Sequence, residues 1–195
     1  TLFRSRRKSL VALRLPLAVL EDAAQPYSWQ SPKVRFFLND NQSPKMWDDF
    51  LAIPPRRVGV DTETPNLVDR SLMGVGIADS PTNSFYVTPD DPDFERVLRI
   101  LRDRRIRKVY HNAPYDLRVL RNYNVDIDEV DDTALMARLN RENSAVLEDI
   151  SYWIAVNEWG DRQTERATSI FAKYGVTTMD KVPPEVVAHK CCVDS

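Results

Sequence analysis

The chain carries acidic side chains in three short motifs whose residue types suit metal-assisted phosphoryl chemistry. Asp61 and Glu63 belong to the first motif, Asp116 to the second and Asp194 to the third. Carboxylates brought together in this number can hold two divalent cations about 4 Å apart, the geometry used for in-line displacement at phosphorus. We therefore predict that these four residues bind two cations, Mg²⁺ or Mn²⁺, and that they are catalytic.

The first motif predicts a strand that is buried as far as its acidic tip. Asp61 and Glu63 follow the apolar run 58–60, and residues two apart in a strand point to the same face. Two carboxylates on one face repel each other unless a cation lies between them. Taken alone, an Asp-x-Glu pair is also compatible with solvated surface charges.

The second motif places Asn112 and Asp116 four residues apart at the start of a predicted helix. This spacing puts both side chains on one face. Asn112 also suits a helix cap, which is the more common role of an isolated Asn. Asp116 lies among apolar residues and needs a partner, for which a metal is suitable. For His111 we expect a structural position beside the site, and for Asp132 an N-cap.

The third motif contains two candidate bases, His189 and Lys190, ahead of Asp194. Adjacent residues on a helix project about 100° apart, so only one of them can readily face the carboxylates. A lysine is protonated at neutral pH unless it is strongly desolvated, whereas a neutral imidazole is available. We predict that His189 is the catalytic general base and that Lys190 points to solvent or to a phosphate backbone.

The composition indicates an ordinary globular protein. The 195 residues have a net charge of −2, which neither advertises nor excludes nucleic-acid binding, since bound cations supply positive charge where phosphate must lie. Two adjacent cysteines predict reduced thiols, hence a reducing compartment, which we expect to be the cytoplasm (a nucleoid or a phage-infected cell). No apolar stretch is long enough to predict a transmembrane span. The first residue is Thr1 and the third motif ends beside Ser195, so we expect a C-terminally truncated piece of a longer protein.

The hydrophobic periodicity predicts an α/β protein, a mixed β-sheet flanked by helices. Residues 1–30 form a poorly specified leader, and a single domain is expected over 31–195. The predicted strands are 34–38, 57–61, 72–78, 85–88 and 108–110; the predicted helices are 43–50, 92–104, 114–123, 132–139, 144–159 and one that begins at Pro183 and Pro184.

The motifs together resemble the DEDD superfamily of 3′–5′ exonucleases. The resemblance rests on the order Asp61-Thr62-Glu63, Asn112-x-x-x-Asp116, Asp132-Thr133 and a late His before Asp194, and it runs from about residue 34 to the end. Within this superfamily, the sequence most resembles the proofreading domain of family A DNA polymerases. It implies a ribonuclease H-like fold over 31–195, with divalent cations held by the four carboxylates.

The resemblance also implies residues that contact nucleic acid. Leu67 would wedge against the terminal base, and Asn112 and Tyr115 would contact the 3′ end of the strand. The third motif departs from the polymerase subgroup, in which a Tyr stands four residues before the Asp, where this chain has Lys190. His189 fits the other subgroup, which has a His five residues before.

The function that this resemblance implies is removal of single nucleotides from DNA 3′ ends, with single-stranded ends preferred. A polymerase domain in the parent chain would be its partner. One alternative is RNA 3′-end trimming of the ribonuclease D type, because selection against the ribose 2′-OH is not evident from the sequence. A second alternative is a non-catalytic DNA-binding remnant of a polymerase, against which the four retained carboxylates argue.

Overall fold

The computed structural model describes residues 55–80, 83–126, 129–154 and 164–195. The predicted leader, the strand 34–38 and the helix 43–50 lie outside these ranges. So does the end of the predicted helix 144–159. Within the described residues, no helix is long and apolar enough to cross a membrane.

Five strands form one mixed sheet in the order β3-β2-β1-β4-β5. The first three strands pair antiparallel. In contrast, β4 pairs parallel with β1, and β5 pairs parallel with β4. The strands are β1 (Arg57–Glu63), β2 (Gly74–Ser80), β3 (Asn83–Val87), β4 (Arg107–Tyr110) and β5 (Val130–Asp132). The predicted mixed sheet is therefore confirmed, with β1 at its centre.

Six α-helices lie among the described residues, and most coincide with predicted segments. They are α1 (Phe94–Arg102), α2 (Ala113–Leu120), α3 (Thr133–Leu139), α4 (Leu147–Ile154), α5 (Ala167–Tyr174) and α6 (Pro184–Asp194). Two elements were not predicted, β5 and α5. β5 is only three residues long, too short for an alternating pattern to show. α5 ends at Gly175 in the left-handed conformation, a common helix stop that was available in the sequence.

The two faces of the sheet carry different helices. Alternate strand residues such as Val58 and Val60 pack with α1 and α2 in the larger core. The opposite face contributes Tyr86 to a second core with α5 and α6. Because strand side chains alternate between faces, Asp61 and Glu63 are on the same face as Gly59, the face that α6 covers.

Two glycines allow α6 to lie directly on the sheet. A Cβ built on Gly76 would be 2.6 Å from the Cys191 carbonyl oxygen, and one on Gly59 would overlap the backbone of Ser195. Gly76 is also the cross-strand partner of Asp61. Because glycine has no Cβ, the helix that carries the third motif can pack closely against the strand that carries the first. The sequence 74–76 therefore serves close packing of the helix on the sheet.

Candidate active site

The candidate site is built on the last residues of β1. Asp61 and Glu63 lie within the strand, not beyond its tip, because pairing with β2 continues as far as Glu63 opposite Gly74. The Glu63 side chain is almost fully buried. The expected pair of carboxylates on one strand face is therefore present, and α6 lies over it.

Lys190 and Asp194 reach this strand from α6. The Lys190 Nζ donates to Glu63 Oε1 at 2.8 Å and to Asp194 Oδ2 at 2.7 Å. Only 14% of the Lys190 side chain and 7% of the Asp194 side chain are exposed. The third motif thus joins the first through an ammonium group.

The orientation predicted for the third motif is wrong. Lys190, expected to point to solvent or nucleic acid, is directed into the carboxylate cluster, and His189 is exposed. The two side chains project about 100° apart on the helix. Close packing of α6 at Gly76 and Cys191 fixes which one faces inwards. The catalytic role assigned to His189 from the sequence stays a prediction, and the exposed position of its side chain argues against it.

Asp116 approaches the end of β1 from α2. Its Oδ1 accepts hydrogen bonds from the Thr62 backbone N–H at 3.0 Å and from Thr62 Oγ1 at 2.7 Å. Thr62 faces away from Asp61 and Glu63 along the strand, so its side chain is available to α2. Asp116 is nevertheless close enough for its charge to raise the pKa of Asp61.

All four carboxyl groups are held in a setting that disfavours their charge. Burial raises the pKa of Asp61, Glu63 and Asp194, and the Lys190 ammonium opposes this without cancelling it. Burial raises the pKa of Asp116 to about 7, against the hydrogen bonds from Thr62. Burial alone would lower the pKa of Lys190, but Asp194 and Glu63 raise it well above the ordinary value. The cluster thus gathers four buried carboxyl groups around one ammonium group, and their ionised forms are costly without a further positive partner.

Two buried oxygen atoms of the cluster, Asp61 Oδ2 and Asp194 Oδ1, have no hydrogen-bond partner among the described residues. A buried carboxylate oxygen without a partner is costly. Ligand oxygen atoms of Asp61 and Glu63 lie within 4.8 Å of each other, and carboxylate oxygens are the ligands that a hard divalent cation takes. The neighbouring Cys191 sulfur is too soft to be such a ligand. The donors present thus fit a divalent cation.

The residues expected to contact a 3′ end belong to the loop after β1 and to the start of α2, and β1 and α2 carry three of the four carboxylates. Asn112 has φ 66° and is the N-cap residue of α2, but its side chain makes no capping hydrogen bond and is exposed. The Tyr115 hydroxyl lies 2.5 Å from Thr64 Oγ1, which orients the ring. Leu67 is 78% exposed on the loop after β1. These side chains are available to a ligand, and their contact with nucleic acid stays a prediction.

Asp132 does more than the predicted N-cap. Its Oδ1 accepts from Ala134 and Leu135 at the start of α3, which confirms the cap. The same carboxylate also accepts from the backbone N–H groups of Asn112 and Ala113. It thereby orients the start of α2, the helix that carries Asp116.

His111 lies beside the site as expected. Its Nδ1 is 2.9 Å from Thr133 Oγ1. Burial lowers the pKa of the half-buried imidazole, while nearby acidic residues, Asp194 among them, oppose this. A neutral, hydrogen-bonded imidazole agrees with a structural position.

Sequence reasoning missed three supporting residues: Thr62, Thr64 and Cys191. Thr62 and Thr64 hold Asp116 and Tyr115 in place. The alternation of strand faces was sufficient to predict that Thr62 faces the helix opposite α6. The place of Cys191 against Asp61 depends on the docking of α6 and has no local signal.

Comparison with known families identifies the chain. A sequence profile of the 3′–5′ exonucleases matches residues 36–153. The protein belongs to this 3′–5′ exonuclease family. The resemblance to DEDD exonucleases is thereby confirmed, and with it the enzyme class. The matched residues include the first two motifs, whereas the third motif is joined to them by the geometry of α6. No curated protein matches the sequence.

Solved structures of similar fold include an NrnC and an RNase D. NrnC of Brucella melitensis bound to pGG has a TM-score of 0.55 at 19% identity, over 72% of this chain and 67% of that one. NrnC with bound Mg²⁺ gives 0.53 at the same identity and coverage. RNase D of Trypanosoma brucei gives 0.57 at 15% identity, over 85% of this chain and 63% of that one. The likeness establishes the ribonuclease H-like fold of this 3′–5′ exonuclease.

Proposed function

We propose that this 3′–5′ exonuclease removes nucleotides from DNA 3′ ends with divalent cations held by Asp61, Glu63, Asp116 and Asp194. The observation that carries the proposal is the pair of buried, unpartnered oxygen atoms, Asp61 Oδ2 and Asp194 Oδ1. A bound cation would give these carboxyl groups a positive partner in addition to Lys190. Mg²⁺ or Mn²⁺ fits, because carboxylate oxygens are their preferred ligands.

The chain's own side chains would position the 3′ end of the strand beside the carboxylates. A bound cation would supply Lewis-acid activation of water and stabilisation of the leaving oxygen. Tyr115, fixed by Thr64, offers its ring to the terminal base, and exposed Leu67 offers an apolar contact beside it. Stacking of this kind requires an unpaired base, which favours single-stranded ends. Asn112 presents an uncommitted side chain to the terminal sugar or phosphate.

DNA is the proposed substrate because the sequence motifs most resemble polymerase proofreading domains. In that role the domain would act beside a polymerase, in the cytoplasm. RNA is the second candidate, since solved structures of similar fold include an RNase D and an NrnC bound to pGG. The choice depends on contacts to the 2′-OH.

A matched pair of oligonucleotides distinguishes the two substrates. DNA and RNA strands of one sequence, each labelled at the 5′ end, are digested with Mn²⁺ and their kcat/KM values compared. We expect DNA to be shortened faster, and a 3′-phosphorylated DNA to resist. Faster cutting of RNA would replace the DNA proposal with the RNA one, and cutting of neither would refute both.

A further inference from the structure

Lys190 brings a positive charge in among the carboxylates of the site. Its ammonium group contacts one oxygen of Glu63 and one of Asp194 at 2.8 and 2.7 Å. The side chain is largely buried, and the two carboxylates come from different elements, β1 and α6. Without Lys190, both of these buried carboxylates would lose a charged partner, which is strongly destabilising for a buried charge.

The oxygen atoms of the cluster divide into two groups. Glu63 Oε1 and Asp194 Oδ2 are occupied by Lys190. Asp61 Oδ2 and Asp194 Oδ1 have no partner among the described residues. Asp194 thus presents one oxygen to the ammonium and has the other left for a second positive group. The protein's own ammonium group therefore occupies one set of carboxylate oxygens, and the other set has no partner among the described residues.

We propose that Lys190 permanently takes the place of one of the two divalent cations, so that this site binds a single divalent ion. The inference rests on the proposed function, in which the same carboxylates hold metal. It replaces the two-ion count expected from the sequence. A second divalent ion at the lysine position would have to displace an ammonium that is already paired twice.

The backbone around Lys190 is fixed, which opposes such displacement. The next residue, Cys191, is pressed against Gly76 by close backbone contact. The Cys192 carbonyl accepts a hydrogen bond from Ser84 on β3 at 3.0 Å. Lys190 and Asp194 are also four residues apart on one helical face, so movement of α6 would carry both together. Movement of the helix would therefore leave the pair of Lys190 and Asp194 intact, and close packing of the helix on the sheet opposes its separation from Glu63.

The test is a count of bound ions on the whole chain, independent of nuclease activity. Mn²⁺ binding is measured by equilibrium dialysis or by the electron paramagnetic resonance signal of free Mn²⁺. The wild-type chain should bind one ion. Lys190→Met, which keeps the length of the side chain and removes its charge, should bind two. Lys181→Met makes the same change at an exposed lysine and should bind one.

Thermal unfolding provides a second measurement on the same proteins. Without metal, Lys190→Met should unfold at a lower temperature than the wild type, because its carboxylates lose their ammonium partner. Saturating Mn²⁺ should raise its midpoint by more than that of the wild type, since ligands stabilise the folded state by mass action.

The outcomes separate the inference from the proposal it rests on. Two ions in the wild-type chain would overturn the inference and leave the metal site intact, as would one ion in a folded Lys190→Met. Absence of Mn²⁺ binding in all three chains would overturn both. If Lys190→Met does not fold, the wild-type count alone decides, with one ion in support and two against.

Discussion

At the scale of single residues, the charge balance of the site depends on which side chain of α6 faces the carboxylates. Residue types were sufficient to choose the four carboxylates from the sequence. They were not sufficient to choose between His189 and Lys190, because the rotation of α6 is set by glycines on distant strands. The protonation argument favoured the imidazole, but a buried cluster of carboxylates favours an ammonium.

Substitution of His189 tests whether its exposed side chain still acts as a base. Because Lys190 faces the cluster, we expect His189→Ala to change kcat by less than about tenfold, below the usual range for loss of a general base. Steady-state kinetics on a single-stranded DNA provides the measurement. A loss of about 10²–10⁴-fold with Mn²⁺ binding intact would instead establish His189 as the base.

Asp116 offers a prediction on stability and pH. Burial raises its pKa from the ordinary value of 3.8 to about 7, so the folded state holds this proton more tightly than the unfolded chain does. The free energy of unfolding of the metal-free protein therefore falls as pH rises from about 4 to 7 and is lowest above that range. Each pKa unit corresponds to about 1.4 kcal/mol.

The Asp116→Asn variant removes this charge and keeps an oxygen acceptor for Thr62. In EDTA at pH 8 we expect its unfolding midpoint to exceed that of the wild type by several degrees, on the order of 2–4 °C per kcal/mol at this chain length. The difference should shrink at pH 5, and activity should be lost. A lower midpoint than the wild type at pH 8 would contradict the electrostatic account of the site.

At the scale of elements, the strands and helices that carry the motifs were largely predictable, and their docking was not. The apolar run before Asp61 indicated β1, and the helical periodicity after Asn112 indicated α2. The contact of α6 with the sheet depends on Gly59 and Gly76, which have no neighbouring signal linking them to residues more than a hundred positions later. The three-residue strand β5 was likewise set by its neighbours in the sheet, since its own pattern is too short.

Gly76→Ala tests the docking of α6. The new Cβ would lie 2.6 Å from a backbone oxygen, so α6 or β2 must move. We expect a loss of about 1–3 kcal/mol in stability, as for overpacking, together with a fall in turnover as Lys190 and Asp194 shift. Unfolding midpoints and kcat are measured on the same preparation.

Gly175→Ala is the matched control. A Cβ there meets no atom within 4 Å, and its cost comes only from φ 64°. This variant should lose stability, by about 1–2 kcal/mol, but retain the turnover of the folded enzyme. Equal loss of turnover in both variants would mean that general destabilisation, not the position of α6, explains the effect.

At the scale of the whole molecule, the proposed function depends on acidic groups gathered from across the chain. β1 supplies two carboxylates, α2 a third and α6 a fourth. The net charge of −2 gives no sign of a nucleic-acid enzyme. The local charge of the site, offset by Lys190 and by bound cation, is what a phosphate would meet.

The most direct test of the account is digestion of a 5′-labelled single-stranded DNA by the wild-type chain and by Asp61→Asn, with Mn²⁺ or with EDTA. The wild type should produce a ladder that shortens one nucleotide at a time from the 3′ end, and both EDTA and Asp61→Asn should reduce it to background. Asp61→Asn should retain the wild-type circular dichroism spectrum. An undiminished ladder in EDTA or with Asp61→Asn, or cleavage of a circular single strand, would contradict metal-dependent 3′–5′ trimming at this site.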